Sequence, residues 1–509
     1  MANEQTQVTD WRVTGWVLYP IGSKPKWPLA FALGFQHYLT MFGATVSIPL
    51  LVGGAMGFPP QELALLISTV FFASGLATLI QQYLGHKLPI VQGGSFSFLG
   101  PTFATIGMVS AQGGNWQIMI QQVAAAIMFG SFFEIILGYS GLMGYVKRAI
   151  GPLAIAPTIT MIGLSLYGVG APYMASNWTI SIITLVALIL YSQVFSRYSR
   201  VFLLFPVILA IATGWLAALI GTLAGWIPPD NAANLTKGLE LIKNSPWFWI
   251  KPAIPFKWGF PELSSLTLSA TIGMLAGYIA SMVESIGDYY SCARISEAPV
   301  PTEKMISYGL GAEGVGCLIA GILQSGNGTT SYSENIGAIG ITRVASRRAI
   351  RAGAILMLII PIIAKVGAVL ATLPQPVVGA MYVGLFGLIA AVGLSNLQFV
   401  NLNNARNLFI LGISLFAGLS FPAHFSANPI KGGVLADIVQ TILTTGMAVS
   451  ALFAIVLDNL LPGATREERG LTVWEKEATP EAWEEAEKEW AQMKEGEEAK
   501  LKGFERVQK

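Results

Sequence analysis

Residues 324–337 read Gln324-Ser325-Gly326-Asn327-Gly328-Thr329-Thr330-Ser331-Tyr332-Ser333-Glu334-Asn335-Ile336-Gly337, a polar, glycine-punctuated run between long apolar ones. A second stretch of the same kind, Val91-Gln92-Gly93-Gly94-Ser95-Phe96-Ser97-Phe98-Leu99-Gly100-Pro101, stands much earlier in the chain. Neither supports a continuous helix, because Gly, Ser and Thr give the backbone competing states. Each reads as a short extended strand running into a half-helix. Irregular backbone of this kind, set in apolar sequence, survives in a bilayer only where it lines a cavity. If the two strands meet, their free amides and carbonyls face one common site.

Composition places that reading in a membrane. The chain has 509 residues, 53% hydrophobic and only 11% charged, against ~25% in soluble domains. Mean hydropathy is +0.59. Between Arg466 and Lys509 stand 13 Glu and 9 Lys/Arg, or 22 of the 58 charged residues. The remaining body cannot cover a water-facing surface, which excludes a soluble enzyme and a secreted disulfide scaffold. A net charge of +2 leaves no nucleic-acid footprint. Cys292, Cys317 and the three histidines form no metal or disulfide pattern. Residues 1–27, polar and mixed in charge, do not read as a cleavable signal peptide.

Fourteen apolar stretches long enough to cross a bilayer recur between residues 29 and 458. Lys24 and Lys26 precede the first, with Arg12 upstream. Lys87, Lys147/Arg148, Arg197/Arg200, Arg294/Lys304, the Arg343/Arg347/Arg348/Arg351 cluster and Arg406 fall in alternate connections. The positive-inside rule makes those connections, and both termini, cytoplasmic. The long polar loop 227–265 divides the chain into 29–226 and 266–458, with seven stretches on each side. Residues 1–28 form an N-terminal cytoplasmic segment and 459–509 a charged cytoplasmic tail. Odd halves are antiparallel in the membrane, the arrangement of an inverted-repeat transporter, in which paired broken segments mark the binding site. The fold class expected is thus an all-α polytopic membrane protein of 14 segments in a 7+7 inverted repeat, with short strands in spans 3 and 10. A glycine-rich packing interface is the alternative account of the broken segments.

A carboxylate at the bilayer centre costs roughly 2.5–3.5 kcal/mol on insertion scales, so each acid inside a span is a functional candidate. Those acids are Glu134, Glu284, Asp288, Glu313, Glu334 and Asp437, with Asp458 at the end of the last span. Glu284 and Asp288 lie four apart and share a helix face. Two neighbouring acids in low dielectric cannot both ionise cheaply, which suits the pair to taking up and releasing a proton. Glu334 stands at a strand-to-half-helix break, where it can accept from ring N–H groups, and Asn335 beside it offers a donor and an acceptor. His37, with Gln36, sits mid-span in the first helix and joins this cluster, as a coupling group or a packed histidine. Glu313 reads as a second-layer partner or a packing residue; Glu134 and Asp437 read as structural or interfacial. Phe96, Tyr332 and Phe386 are by composition core residues.

These residues carry a resemblance. The sequence resembles the nucleobase–ascorbate transporter family, also called nucleobase:cation symporter 2, over about residues 28–460. The family signature (Gln, Glu or Pro, then Asn, any residue, Gly, four of any kind, Thr, and Arg, Lys or Gly) reads here Glu334-Asn335-Ile336-Gly337-Ala338-Ile339-Gly340-Ile341-Thr342-Arg343. The Gln-His motif of the first span is Gln36-His37, and the eighth-span Glu is Glu284.

The resemblance implies a core domain of spans 1–4 and 8–11 that holds the substrate. A gate domain of spans 5–7 and 12–14 moves against it and forms a homodimer. It implies that Glu284 and Glu334 hydrogen-bond a heterocycle, that the amides of Phe96 and Ser333 add contacts, and that Ala44, Phe96, Tyr332 and Phe386 pack on the ring. Asp288 matches eukaryotic purine and ascorbate members, where bacterial uracil permeases carry His. Glu284 through Arg294, with Gly326-Asn327-Gly328, looks like the animal ascorbate carriers, which have Pro at the position of Glu334. Because Pro cannot accept from a ring N–H and Glu can, a nucleobase such as uracil or xanthine is the substrate expected. H⁺ is the coupling ion expected, through Asp288, His37 and Glu313, with Na⁺ coupling or ascorbate as alternatives. No cofactor is implied. The rivals are a same-fold anion transporter, which calls for basic groups at the half-helix ends, a membrane enzyme, and a nontransporting receptor. The tail 466–509, with Trp474, Trp483 and Trp490 among many charges, reads either as an amphipathic helix on the protein or membrane surface or as a solvated tail.

Overall fold

A computed structural model describes residues 17–141, 150–430, 432, 434–474 and 480–492. Arg12, Lys147, Arg148 and the last residues of the tail lie outside them, as do the side chains of Asp437 and Trp474. Helix starts follow local chemistry. Proline stands in the first turn of Trp27–Met56, Pro60–Leu84, Pro152–Leu164 and Pro206–Leu223, where its missing N–H is no loss. Elsewhere a polar side chain caps the first turn. Asn115 accepts from the Ile118 amide at 3.1 Å, Asn177 from Ile180 at 3.2 Å and Thr302 from Met305 at 3.3 Å.

Among the described residues, ten helices are long and apolar enough to cross a membrane, and the pair Ile438–Thr444 and Gly446–Leu460, bent by 93°, is long and apolar enough for an eleventh when taken together. The other three stretches expected as spans are interrupted. Arg347–Ile359 and Ala364–Ala371 are separated by a turn at Ile360–Ile362. The remaining two are the glycine-punctuated segments, and both form strands. β1 (Gln92–Gly94) leads through a turn at Phe96–Phe98 into the half-helix Leu99–Ala111, and β2 (Thr329–Ser331) leads into Ser333–Thr342.

The helices pack in two groups. One holds Trp27–Met56, Pro60–Leu84, Trp116–Tyr139, Ser265–Ile295, Glu303–Ile322 and Arg347–Ile359. Its tightest crossing is between Trp116–Tyr139 and Glu303–Ile322, where a Cβ on Gly138 would lie 2.2 Å from the Gly311 nitrogen; only glycine lets the backbones approach this closely. The second group holds Pro152–Leu164, Trp178–Ile189, Pro206–Leu223, Gln375–Ser395, Ala405–Ala427 and Gly446–Leu460. Five of its helices turn large apolar side chains outward, among them Ile182, Ile189, Leu216, Ile220, Leu388, Leu408, Phe416 and Leu452, as a lipid-facing wall does.

The loop 227–265 is not bare connection. It carries a helix, Thr236–Asn244, and is pinned to the first group where the Trp249 amide donates to the Ile362 carbonyl at 3.0 Å. The described parts of the tail, 459–474 and 480–492, pack against the protein too. Arg469 and Arg406 both pair with Asp458, at 3.0 and 2.9 Å, which holds the start of the tail on the second group. The helix Pro480–Ala491 lies on the first group. There Trp483 donates to the Val300 carbonyl at 2.7 Å, and Arg347 holds Glu487 with bonds of 2.7 and 3.0 Å. Trp483 and Trp490 are seven apart on one face, and both are buried; that face, invisible to charge counting, is why this part of the tail docks on the protein.

Candidate functional site

The two strands meet. β1 and β2 pair antiparallel with Gln92 opposite Ser331, Gly93 opposite Thr330 and Gly94 opposite Thr329. The ladder gains one bond at each end, Ser95 amide to Gly328 carbonyl and Tyr332 amide to Val91 carbonyl, both 3.1 Å. A two-stranded ribbon is marginal alone, and side chains brace it. The Asn327 Oδ1 accepts from the Ser95 amide at 2.7 Å, and the Thr78 hydroxyl from the Gln92 amide at 2.9 Å. Gly93 is required beneath Tyr332, since a Cβ there would lie 2.4 Å from the tyrosine ring.

Each strand delivers the N-terminus of a half-helix to the meeting point. The first-turn amides of a helix lack intrahelical acceptors and carry partial positive charge. Ser95 occupies one cap by accepting from the Ser97 amide at 3.2 Å. Ser333 and Glu334 open the other half-helix and are exposed, whereas Asn335 and Ile336 behind them are buried. The first residues of this half-helix therefore face open space.

Helix Ser265–Ile295 crosses beside both half-helices and brings its acids to them. Glu284, half-buried, accepts from the Ser97 hydroxyl at 3.3 Å. Asp288, buried, accepts from the Ser333 hydroxyl at 2.7 Å through one oxygen, and its second oxygen has no hydrogen-bond partner. Glu284, Asp288, Ser333 and Glu334 are thus gathered in one place from segments some fifty residues apart. The rings come from both helix groups. Phe96 packs edge-on against Phe386 at 5.6 Å between centroids, and Phe386 stacks on Tyr382 at 5.1 Å and 12°. Tyr332 donates to the Gly94 carbonyl at 2.7 Å and accepts from Thr45 at 3.0 Å, next to buried Ala44.

Three candidate residues stand behind this face. The Asn335 side chain accepts from the Val91 amide at 2.8 Å and meets His37 Nδ1 at 2.9 Å, so the two join the first helix, the first strand and the second half-helix. Glu313 is buried among four hydroxyls. Ser281 and Thr330 donate to one oxygen at 2.8 and 3.2 Å, and Ser285 and Tyr289 to the other at 2.6 and 3.3 Å. Sequence reading passed over Ser97, Ser281, Ser285, Thr330 and Tyr382. A usable signal existed for two of them, because Ser281, Ser285 and Asp288 recur at helical spacing on the face that carries Glu284. A cavity of about 620 Å³ opens beside the site between the half-helix Leu99–Ala111 and the helices of the second group, lined by Phe103, Met108, Leu419, Gln440 and Phe96, the last shared with the candidate site. Among the described residues there is no cluster of three or more His, Cys, Asp or Glu that could hold a metal ion.

Known proteins match this arrangement in sequence and in fold. A Permease family model matches residues 29–427. Human solute carrier family 23 member 2 is 40% identical over 506 residues, covering 90% of this chain and 77% of the relative. Nucleobase-ascorbate transporter 5 of Arabidopsis thaliana is 36% identical over 485 residues, covering 90% of this chain and 91% of the relative. Among solved structures, the transmembrane domain of the cyanobacterial bicarbonate transporter BicA superposes with a TM-score of 0.54, covering 81% of this chain and 97% of that one at 13% identity, which speaks for the fold alone. The chain is accordingly a multi-pass membrane transporter rather than an enzyme, and it belongs to the nucleobase–ascorbate transporter family.

Proposed function

We propose that the protein takes up a nucleobase of the uracil or xanthine kind by secondary active transport coupled to H⁺. One observation supports this above the others: Glu284 and the exposed Glu334 flank the point where two half-helix N-termini meet, with Phe96, Phe386 and Tyr332 around it. A flat ring with N–H and C=O groups on its edge needs this combination. The carboxylates accept from ring N–H, the strand and half-helix amides donate to ring carbonyls, and the aromatic side chains cover the faces. In this reading Glu284, Glu334, Phe96, Ser333, Ala44, Tyr332 and Phe386 form the binding site and Asn335 braces it from behind, while Asp288, His37 and Glu313 serve coupling. The chain is organised as a seven-plus-seven inverted repeat with both ends in the cytoplasm of a plasma or inner membrane. The first helix group carries the base and moves against the second, through which two copies pair.

Ascorbate with Na⁺ is the second reading, favoured by the stretch Glu284–Arg294 and by the twofold name of the Arabidopsis relative. An anion carrier is disfavoured, since the second half-helix presents Glu334 and not a basic group. The deciding experiment is a thermal-shift and calorimetric panel of uracil, xanthine, other bases and ascorbate on purified protein, because a ligand that binds the folded state raises its melting temperature. Stabilisation by a base and not by ascorbate is expected; the reverse overturns the assignment.

A further inference from the structure

Glu134, read from sequence as structural or interfacial, lies where helix Trp116–Tyr139 crosses Glu303–Ile322. A Cβ on Gly314, next to Glu313, would be 3.2 Å from the Glu134 carbonyl carbon. Glu134 and Glu313 are both fully buried and act on each other electrostatically. Their surroundings are opposite. Each Glu313 oxygen accepts two hydroxyl hydrogen bonds. Neither oxygen of Glu134 has a hydrogen-bond partner. The titratable groups facing Glu134 are Tyr278 and Tyr289 from helix Ser265–Ile295, and Glu313 and Cys317 from Glu303–Ile322. None of these is a cation. Four donors satisfy an ionised Glu313. An ionised Glu134 would be a buried charge with no hydrogen-bond donor, so of the two acids it is the one that geometry equips to hold a proton.

The pair is wired to the binding face. The Ser285 hydroxyl bonds Glu313 at 2.6 Å, the Ser331 hydroxyl bonds Ser285 at 2.6 Å, and Ser331 neighbours Asp288, which holds Ser333 at 2.7 Å. Thr330 of β2 is tied to the same Glu313 oxygen as Ser281. We propose that Glu134 stores the coupling proton and exchanges it with the binding face through Glu313, Ser285, Ser331 and Asp288. The two carboxyls are not hydrogen-bonded to each other, so the Glu134 side chain must first turn toward Glu313; its proton then passes to the Glu313 carboxylate and leaves Glu134 as the anion. Each serine then passes one proton on as it receives one, and the Asp288 carboxylate takes the last and gives it to water. When Glu134 ionises, the hydroxyls that Glu313 holds must be shared between two anions. Thr330 is one of them, so β2, which leads directly to Ser333 and Glu334, feels the change.

This inference rests on proton-coupled uptake, and the test separates the two. In proteoliposomes holding the full chain, Glu134→Gln keeps the shape and neutrality of the protonated acid. Base binding and base-for-base exchange should stay within about twofold of the parent, while accumulation driven by a pH gradient falls at least about tenfold. Parental accumulation in Glu134→Gln overturns the proposal, since the proton would then be a fixed part of the fold; accumulation driven by sodium and indifferent to pH overturns it as well. If Glu134→Gln does not fold, Ser285→Ala decides in its place: slowed accumulation with intact exchange supports the wiring, and parental accumulation overturns it. Difference infrared spectroscopy is independent of substrate. A protonated-carboxyl stretch present in the parent and absent in Glu134→Gln is expected, and a spectrum unchanged by the substitution overturns the assignment even where no base is transported.

Discussion

Replacing Glu334 probes the binding reading most sharply, because the structure separates its chemistry from its part in the fold. It is the second residue of the half-helix Ser333–Thr342 and its side chain is exposed, so removing the carboxylate leaves no packing void. A hydrogen bond to a charged group is worth ~1.5–3 kcal/mol. At about 1.4 kcal/mol per tenfold in affinity, Glu334→Gln should weaken nucleobase binding by about 10- to 150-fold. Glu334→Pro should remove it altogether. At this position the backbone N–H has no intrahelical acceptor, so proline deletes no ladder bond, although Ser333 then loses some of its helical preference. Calorimetry with uracil and xanthine measures the affinities, and an unchanged melting temperature of the ligand-free protein shows that the half-helix persists. A second substitution, Glu284→Gln, tests whether the two acids grip one ring: the double variant should lose less than the sum of the singles when both hold the same base. Affinity within about twofold of the parent in Glu334→Gln would refute a role for this carboxylate in binding.

Two other predictions concern regions outside the site. Trp490→Ala removes a side chain only 4% exposed; burial of about 150–250 Å² at ~25 cal/mol/Å² amounts to ~4–6 kcal/mol, more than a short helix that is marginal in water can replace. Hydrogen exchange across 480–491 should rise at least about 100-fold while the first helix group stays protected; unchanged protection refutes the docking. Lys257, in the loop 227–265, donates to the Leu323 carbonyl and lies 4.9 Å from the Trp258 ring. Burial pushes its pKa down to about 7, partly offset by Glu62. Between that value and the ordinary ~10.4 the unfolded chain binds more protons at this residue than the folded one, so its contribution makes stability rise with pH across the window. Melting temperature should climb from pH 7 to 9 and lose that component in Lys257→Met; a slope untouched by the substitution refutes it.

The membrane class, the pair of broken segments and the acids near them were legible because each is a local violation. In a body so poor in charge, an acid inside a span is conspicuous, and so is a glycine-rich run between apolar ones. The strand register was not legible, since three residues on each side carry no pattern strong enough to fix pairing. It is fixed instead by distant side chains, Asn327 on the Ser95 amide and Thr78 on the Gln92 amide. The direction in which neighbouring residues face was equally hidden. Glu334 and Asn335 adjoin in the signature, yet one is exposed and the other is buried against His37, because consecutive residues of a helix point about 100° apart. Docking of the tail was left open against a solvated tail for a related reason: charge density reads as solvation, and only the seven-residue spacing of Trp483 and Trp490 hints at a buried face.

The same contrast explains why a list of intramembrane acids ranks them imperfectly. Insertion cost treats each acid alone, whereas the fold distributes donors unequally among them. Ser97 serves Glu284, Ser333 serves Asp288, four hydroxyls serve Glu313 and none serves Glu134. Ionisation costs less for a buried acid that has donors than for one that has none. That division depends on which residues of helix Ser265–Ile295 meet β2 and which residues of Trp116–Tyr139 meet Glu303–Ile322. Helix crossings set both, and no local stretch of sequence specifies a crossing. Glu134, read from sequence with Asp437 as structural or interfacial, is therefore the one of these four acids left without a donor.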